Sequence, residues 1–356
     1  MVEGDDARME IKIEDAIYKN NCLFIDVRSP FEFNEGTVPR AINIPLFDDE
    51  ERIIVGKIYK NESIDRAKDK GVELASLKLP YIYRKISEMR KVNDTVIVFC
   101  SRGGLRSGAV VSFLNNLGVS VYQLQGGYKA FRKFTMKYLE DIQRQHEFIV
   151  LHGYTGVGKT KILNILEDRN IPVINFAKLA QNTGSVFGDI VFNGASTTQK
   201  MFDATIVDKL IKYNKKLVVV ESESKRLGSI FIPIHLYNSI IKGRHVLIAT
   251  SIENRGNRLI NDYTNNNLNC HDLLIKSITS LKKRIGTENM SKYIEYVHNK
   301  NYRQVAEELI INYYDPIYKN SIEKYKYELL INYDKIEKAA DEVEAYYHKT
   351  EGEIQV

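Results

Sequence analysis

The stretch Phe148-Ile149-Val150-Leu151-His152, followed by Gly153-Tyr154-Thr155-Gly156-Val157-Gly158-Lys159-Thr160, restricts the possible folds of this chain more than any other. The apolar run predicts a buried strand. The octet fits G-x-x-x-x-G-K-[ST] at every fixed position, and Lys161-Ile162-Leu163-Asn164-Ile165-Leu166 continues as a helix. Strand, glycine-rich loop and helix in that order belong to a parallel-sheet α/β domain. Around Gly153, Thr155, Gly156 and Gly158 the backbone N–H groups can turn inward onto phosphate oxygens, aided by the positive end of the helix. Lys159 neutralises a phosphate and the Thr160 hydroxyl can reach Mg²⁺. A second apolar run, Leu217-Val218-Val219-Val220, ends on Glu221. Glu221 or Glu223 is expected beside Mg²⁺ or as a base; the alternative is a strand-ending carboxylate in water. Ser222, Glu223, Ser224, Lys225 and Arg226 make the exit from that strand polar and charged.

A second strand-to-helix loop lies earlier. Thr95 to Phe99 reads as a buried strand, and Ala109 to Leu114 as part of a helix. Between them stand Cys100, Ser101, Arg102, Gly103, Gly104, Leu105, Arg106 and Ser107. A thiol ringed by backbone N–H groups and facing a helix N-terminus holds an anion and becomes a thiolate at lower pH. A buried structural cysteine is the alternative reading. Cys100 and Arg106 are separated by five residues, a span wide enough for a tetrahedral, phosphate-like anion clamped by Arg106. The loop alone therefore fits both chalcogen transfer and phosphate-ester hydrolysis.

The 356 residues suggest at least two domains. A net charge of +5 permits phosphate or nucleic-acid binding without demanding it. Cys22, Cys100 and Cys270 are too sparse and too widely spaced for a disulfide framework or zinc site, which points to a reducing cytoplasm. The acidic first residues do not read as a signal peptide, and no apolar run approaches a membrane span. Asp26 and Arg28, at the end of the strand Cys22–Val27, are expected to pair with each other or with loop backbone.

Asp26-Val27-Arg28 with Glu32-Phe33, Ala41-Ile42-Asn43-Ile44-Pro45, the Cys100 loop and Gly126-Gly127-Tyr128 together resemble a rhodanese domain. Thr37 stands where many rhodaneses have His, and Arg40 where they have Gly. The likeness extends further. Asp49-Glu50-Glu51-Arg52 with Val55-Gly56 and Tyr59-Lys60, Gly184-Ser185-Val186-Phe187-Gly188, Val219 to Gly228, and Arg255-Gly256-Asn257-Arg258-Leu259 with Asp262-Tyr263 resemble the tRNA 2-selenouridine synthase family. That family tends to have Asp, Glu, His and Arg where Asn175, Ala177, Asn182 and Thr183 stand here.

The resemblance implies a rhodanese-like α/β domain over residues 1–140 and a P-loop NTPase-like α/β domain over 141–265, with a helical C-terminal extension over 266–356. It implies that the chain replaces the sulfur of 2-thiouridine at the tRNA wobble position with selenium from selenophosphate, through an S-geranylated intermediate made from geranyl diphosphate. Cys100 would be the selenium-carrying thiol, with Ser101, Arg102, Gly103, Gly104 and Arg106 as its anion loop. Gly153 to Thr160 would bind diphosphate. Glu221, Ser222, Glu223, Lys225 and Arg226 would serve that second site, with Mg²⁺ at Thr160 and Glu221 and no tightly bound cofactor. Implied partners are the thiolated tRNA and an enzyme supplying selenophosphate. Lys129, Arg132, Lys133 and Lys137, Lys225-Arg226, and Lys282-Lys283-Arg284 are candidate RNA contacts. The competing reading is a P-loop kinase or NTPase with a rhodanese or phosphatase-like regulatory domain.

Overall fold

The computed structural model describes residues 9–182, 197–264 and 270–355, so Thr183 and Gly184 to Gly188 lie outside the described residues. The chain forms two compact units. The first takes residues up to Tyr138 together with Thr198–Lys212; the second takes Leu139–Thr197 and Tyr213 onward. Residues 198–212, which a division of the chain at 140 assigns to the second domain, thus pack with the first unit.

In the first unit, β1 (Glu10–Ile11), β2 (Cys22–Asp26), β3 (Ile42–Asn43), β4 (Thr95–Phe99) and β5 (Tyr122–Leu124) form a sheet in the order β1-β5-β4-β2-β3. Every pair is parallel. A parallel strand covered on both faces reads as an unbroken apolar run, which is why Val96 to Phe99 are all buried. One face packs Val98 with Ile25, Ile82, Ile86 and Leu114. The other packs Phe24, Phe99, Leu124 and Phe131, with Ala204 from the helix Gln199–Tyr213. That helix also supplies Asp208, which pairs with Arg40 at 3.0 Å. Arg40 has φ 65°, a conformation that favours glycine. Between β3 and β4 run three helices, Asp49–Asn61, Ile64–Ser76 and Leu79–Arg90.

In the second unit, β6 (Glu147–His152), β7 (Val173–Ile174), β8 (Leu217–Glu221), β11 (Arg244–Ala249) and β12 (Leu329–Asn332) form a parallel sheet in the order β12-β11-β6-β8-β7. β9 (Arg226–Leu227) and β10 (Ile230–Phe231) make a short antiparallel hairpin. The C-terminal region is mostly helical, but β12 and the helix Ile336–Gln355 return it to the sheet. Ala339, Ala340, Val343 and Tyr347 of that helix are buried against Leu166, Val219 and Val246. The architecture is the two-unit α/β arrangement with a largely helical C-terminal region that the apolar strands predict. Among the described residues, no helix is long and apolar enough to cross a membrane.

Candidate functional sites

In the first unit the sequence brings Cys100 to the end of β4, buried, just before the helix Leu105–Asn116. Gly126-Gly127 press against the loop from behind. A side chain at Gly127 (φ 57°) would lie 2.3 Å from the Cys100 carbonyl oxygen and 2.4 Å from the Gly103 nitrogen. The Tyr128 and Lys129 N–H groups donate to the carbonyls of Cys100 and Ser101, at 2.9 and 3.0 Å. The Gln123 amide donates to the Gly103 carbonyl at 2.7 Å and to Ser107 Oγ at 2.9 Å. Ser107 Oγ in turn donates to Cys100 Sγ at 3.2 Å. Burial pushes the Cys100 thiol up. The Ser107 hydroxyl, the Ser107 and Arg102 backbone N–H groups and the Arg106 charge outweigh it, and the thiol sits below its ordinary pKa.

The arginines of the loop are placed differently. Arg106 is half-buried, and its guanidinium meets Glu32 through Nη1 at 2.6 Å and Nη2 at 3.3 Å. Burial raises the Glu32 carboxyl, but Arg106, the Ser29 N–H and Arg52 hold it below the usual range. Arg102 is exposed at the mouth of the loop. Asp26 and Arg28 form a buried ion pair at 2.6 Å, with Thr37 Oγ1 donating to Asp26 at 2.9 Å and Arg28 Nη2 donating to the Gly36 carbonyl. These groups brace the end of β2. On the helix Gly127–Glu140, Lys129, Lys133 and Lys137 are exposed, while Arg132 pairs with Asp203 at 2.5 Å.

In the second unit β6 runs into the glycine-rich loop. Gly153, Gly156 and Gly158 have φ of 152°, 80° and 80°. A side chain at Gly153 would lie 2.6 Å from the Ile248 carbonyl, and one at Gly156 2.8 Å from the Arg255 carbonyl, so only glycine fits. Lys159 Nζ donates to the Gly153 carbonyl at 2.8 Å. Because β8 is the hydrogen-bonded neighbour of β6, its last residue, Glu221, arrives beside the loop. Thr160 Oγ1 donates to Glu221 Oε2 at 3.3 Å, and the Ala177 N–H donates to Oε1 at 3.3 Å. Burial pushes Glu221 up and Lys159 down, each opposed by the charge of the other. Glu223 keeps some exposed surface, yet burial of its carboxyl and the neighbouring Glu221 push it up to about 8.

Of the other residues expected here, the Ser222 N–H extends the ladder to the Leu151 carbonyl. Arg226 turns to its own hairpin, donating to the Gly228 carbonyl at 2.8 Å and lying over Phe231. Lys225 is exposed. Lys282, Lys283 and Arg284 are exposed at the start of the helix Lys282–His298, with Arg284 donating to the Tyr313 hydroxyl.

The structure adds residues for which sequence reading gave no role. Three consecutive loop carbonyls are each met by a side chain from outside. Arg255 Nε donates to Thr155 O at 2.8 Å, Arg258 Nη1 to Gly156 O at 3.0 Å, and Tyr333 Oη to Val157 O at 2.5 Å. Arg255 is itself fixed by Asp315 at 2.5 and 2.9 Å. The two arginines lay in a stretch noted for family likeness, whereas nothing in the sequence marked Tyr333. Ser107, Gln123 and Glu32 are the corresponding additions at the cysteine loop.

A family model described as the tRNA 2-selenouridine synthase AAA domain matches residues 146–351, and a rhodanese-like domain model matches 12–134. The tRNA 2-selenouridine synthase of Shewanella denitrificans is 29% identical over 341 residues, covering 87% of this chain and 91% of that protein. Its counterpart from Pseudomonas syringae pv. syringae is 30% identical over 335 residues, covering 85% and 89%. A crystal structure of the N-terminal domain of a Clostridium difficile 630 protein, described as ATP/GTP binding, is 44% identical. It covers 36% of this chain and 98% of that one, with a TM-score of 0.35.

Proposed function

This chain belongs to the tRNA 2-selenouridine synthase family, and from that premise we propose that it is a cytoplasmic enzyme modifying the wobble uridine of tRNA. It exchanges the sulfur of 2-thiouridine for selenium from selenophosphate, after geranyl diphosphate has geranylated that sulfur. The observation carrying this reading is the presence of two distinct glycine-bearing loops, one with an acidified thiol and one with a lysine but no thiol.

The second unit suits the prenyl transfer. The uridine sulfur bonds to the allylic carbon as the carbon–oxygen bond to diphosphate breaks. The departing charge needs donors already in place; Lys159, whose ammonium rests on the Gly153 carbonyl, and the backbone N–H groups of the loop would supply them. No ATP hydrolysis is required. Thr160 and Glu221 present two hard oxygens beside the loop, a set that fits Mg²⁺, which uses few protein ligands alongside phosphate and water. When bound, that ion would neutralise charge on the diphosphate.

The first unit suits the selenium step. Geranylation lets the sulfur leave as a thiolate instead of sulfide: the selenium of selenophosphate bonds to the uridine carbon as the carbon–sulfur bond breaks, and water cleaves the phosphorus–selenium bond to release phosphate. Cys100 handles the selenium, with the phosphate of selenophosphate held by the loop N–H groups, Arg102 and the remaining donors of Arg106. The exposed Lys129, Lys133 and Lys137 supply RNA phosphate contacts, and a selenophosphate-supplying enzyme is the expected donor partner.

The test is to incubate the protein with thiolated tRNA and geranyl diphosphate without ATP, and then with selenophosphate, following nucleosides by mass spectrometry. A geranylated and then a selenated uridine is the expected result. ATP turnover with no nucleoside change would establish the kinase or NTPase reading instead.

A further inference from the structure

Beside the Cys100 loop the first unit holds a cavity of about 500 Å³ that shares Leu105 and Arg106 with that loop. It lies within the usual size range of small-molecule sites. The helices Asp49–Asn61 and Ile64–Ser76 wall it, Phe47 lies among its lining, and Leu105, Arg106 and Ala109 close it on the cysteine side. Leu46 and Phe47, which line it, belong to the same apolar cluster as Cys100. Tyr59, Ile64, Val72 and Leu105 are 58%, 51%, 69% and 67% exposed, so the rim is a solvent-facing apolar patch.

Two further features suggest a kept space. Each walling helix carries an interior glycine lining the cavity, Gly56 and Gly71. A glycine inside a helix costs about 1 kcal/mol relative to alanine. Neither has the backbone conformation that would require glycine; at Gly56 a Cβ would press on Arg52 Nη1 at 2.5 Å, whereas at Gly71 it would meet only Phe47 Cζ, at an ordinary 3.5 Å. The polar groups lining the cavity include Arg52 and Arg106, both within ion-pair distance of Glu32.

We propose that this cavity holds the aliphatic chain of a prenylated nucleoside, its head toward the guanidiniums and Cys100. The apolar walls fit a branched ten-carbon chain, Arg52 fits an adjoining phosphate of the RNA, and the neighbouring loop puts the thioether carbon where selenium is handled. The occupant rests on the function proposed above; the cavity's preference for an apolar chain does not.

The test uses the full chain, selenophosphate and anticodon stem-loop RNAs carrying S-geranyl or five-carbon S-dimethylallyl 2-thiouridine. The expected preference in kcat/KM is about a thousandfold for the longer chain, the scale set by five further buried carbons. Gly71→Phe fills the cavity while improving helix propensity, and is expected to bring that ratio near one. A Gly71→Phe ratio equal to that of the original chain overturns the proposal. Independently of turnover, a geranyl RNA with a diazirine at the chain end should crosslink to residues 46–76 or 105–109. Crosslinks confined elsewhere, or none, overturn the cavity assignment. Crosslinks there without any selenation overturn the reaction instead.

Discussion

Gln123 helps place Ser107 beside Cys100. Its amide hydrogen occupies an acceptor site on Ser107 Oγ, whose hydroxyl hydrogen has the Cys100 sulfur at 3.2 Å and the Gly104 carbonyl at 3.4 Å as acceptors. A hydrogen bond to a charged group contributes roughly 1.5–3 kcal/mol, so Ser107→Ala is expected to raise the thiol pKa. The sign follows from which form the bond favours: the hydroxyl stabilises the thiolate, so its loss moves the acid limb of Cys100 alkylation to higher pH. Iodoacetamide rate profiles of the original and the variant measure this, and superimposed profiles would show that Ser107 does not set the acidity. The acid group at the other loop works in the opposite direction. Glu223, pushed up to about 8, is neutral below that pH and anionic above it, close to Lys159. Geranyl diphosphate, titrated calorimetrically without Mg²⁺, should therefore bind more weakly as pH rises through about 8. Glu223→Gln should lack that step. A step of equal size in both proteins would assign it to the ligand or to another group.

The phosphate loop behaves as an element because its outer edge is tied. With the Thr155, Gly156 and Val157 carbonyls taken by Arg255, Arg258 and Tyr333, the peptide planes are fixed before any anion arrives. Tyr333→Phe removes one donor and keeps the ring in the core. Leaving a buried carbonyl unmet costs about 1 kcal/mol, or roughly fivefold in geranyl diphosphate affinity. A weaker calorimetric Kd together with a modestly lower melting temperature is the expected pair of results; a lower melting temperature with unchanged Kd would make Tyr333 merely structural. This element also shows what a sequence can disclose. The octet and the apolar runs of β4, β6 and β8 are legible because each encodes its own backbone locally. The ties are not, since Tyr333 and Val157 lie 176 residues apart and no periodicity links them. β12 is hidden for a related reason: four residues in a helical region become a strand only because β11 offers an open edge. The spacing from Cys100 reads Arg106 as an anion clamp, and nothing in the sequence discloses its ion pair with Glu32, 74 residues away.

At the scale of the whole molecule, the order of the chain and the order of packing part company at one helix. Gln199–Tyr213 follows the phosphate loop in sequence, yet residues 198–212 complete the unit that carries Cys100. Its own pattern cannot reveal this, because an apolar helix face suits either core. The first unit's dependence on it rests on Ala204 in the sheet core, the Arg40–Asp208 pair and the buried Asp203. Asp203 accepts from Arg132 at 2.5 Å and from Gln199 at 2.7 Å. Removing one partner of such a pair costs more than breaking an exposed pair and less than breaking a fully buried one, about 2 kcal/mol here because Arg132 is only partly buried. Asp203→Ala in the full chain should therefore speed hydrogen exchange in the helix Gly127–Glu140 and in β4 and β5. Exchange in β6, β8 and β11 should stay as it was, although Asp203 lies between β6 and β8 in sequence. Faster exchange confined to β6 and β8 would place the helix energetically with the phosphate loop and overturn this division of the molecule.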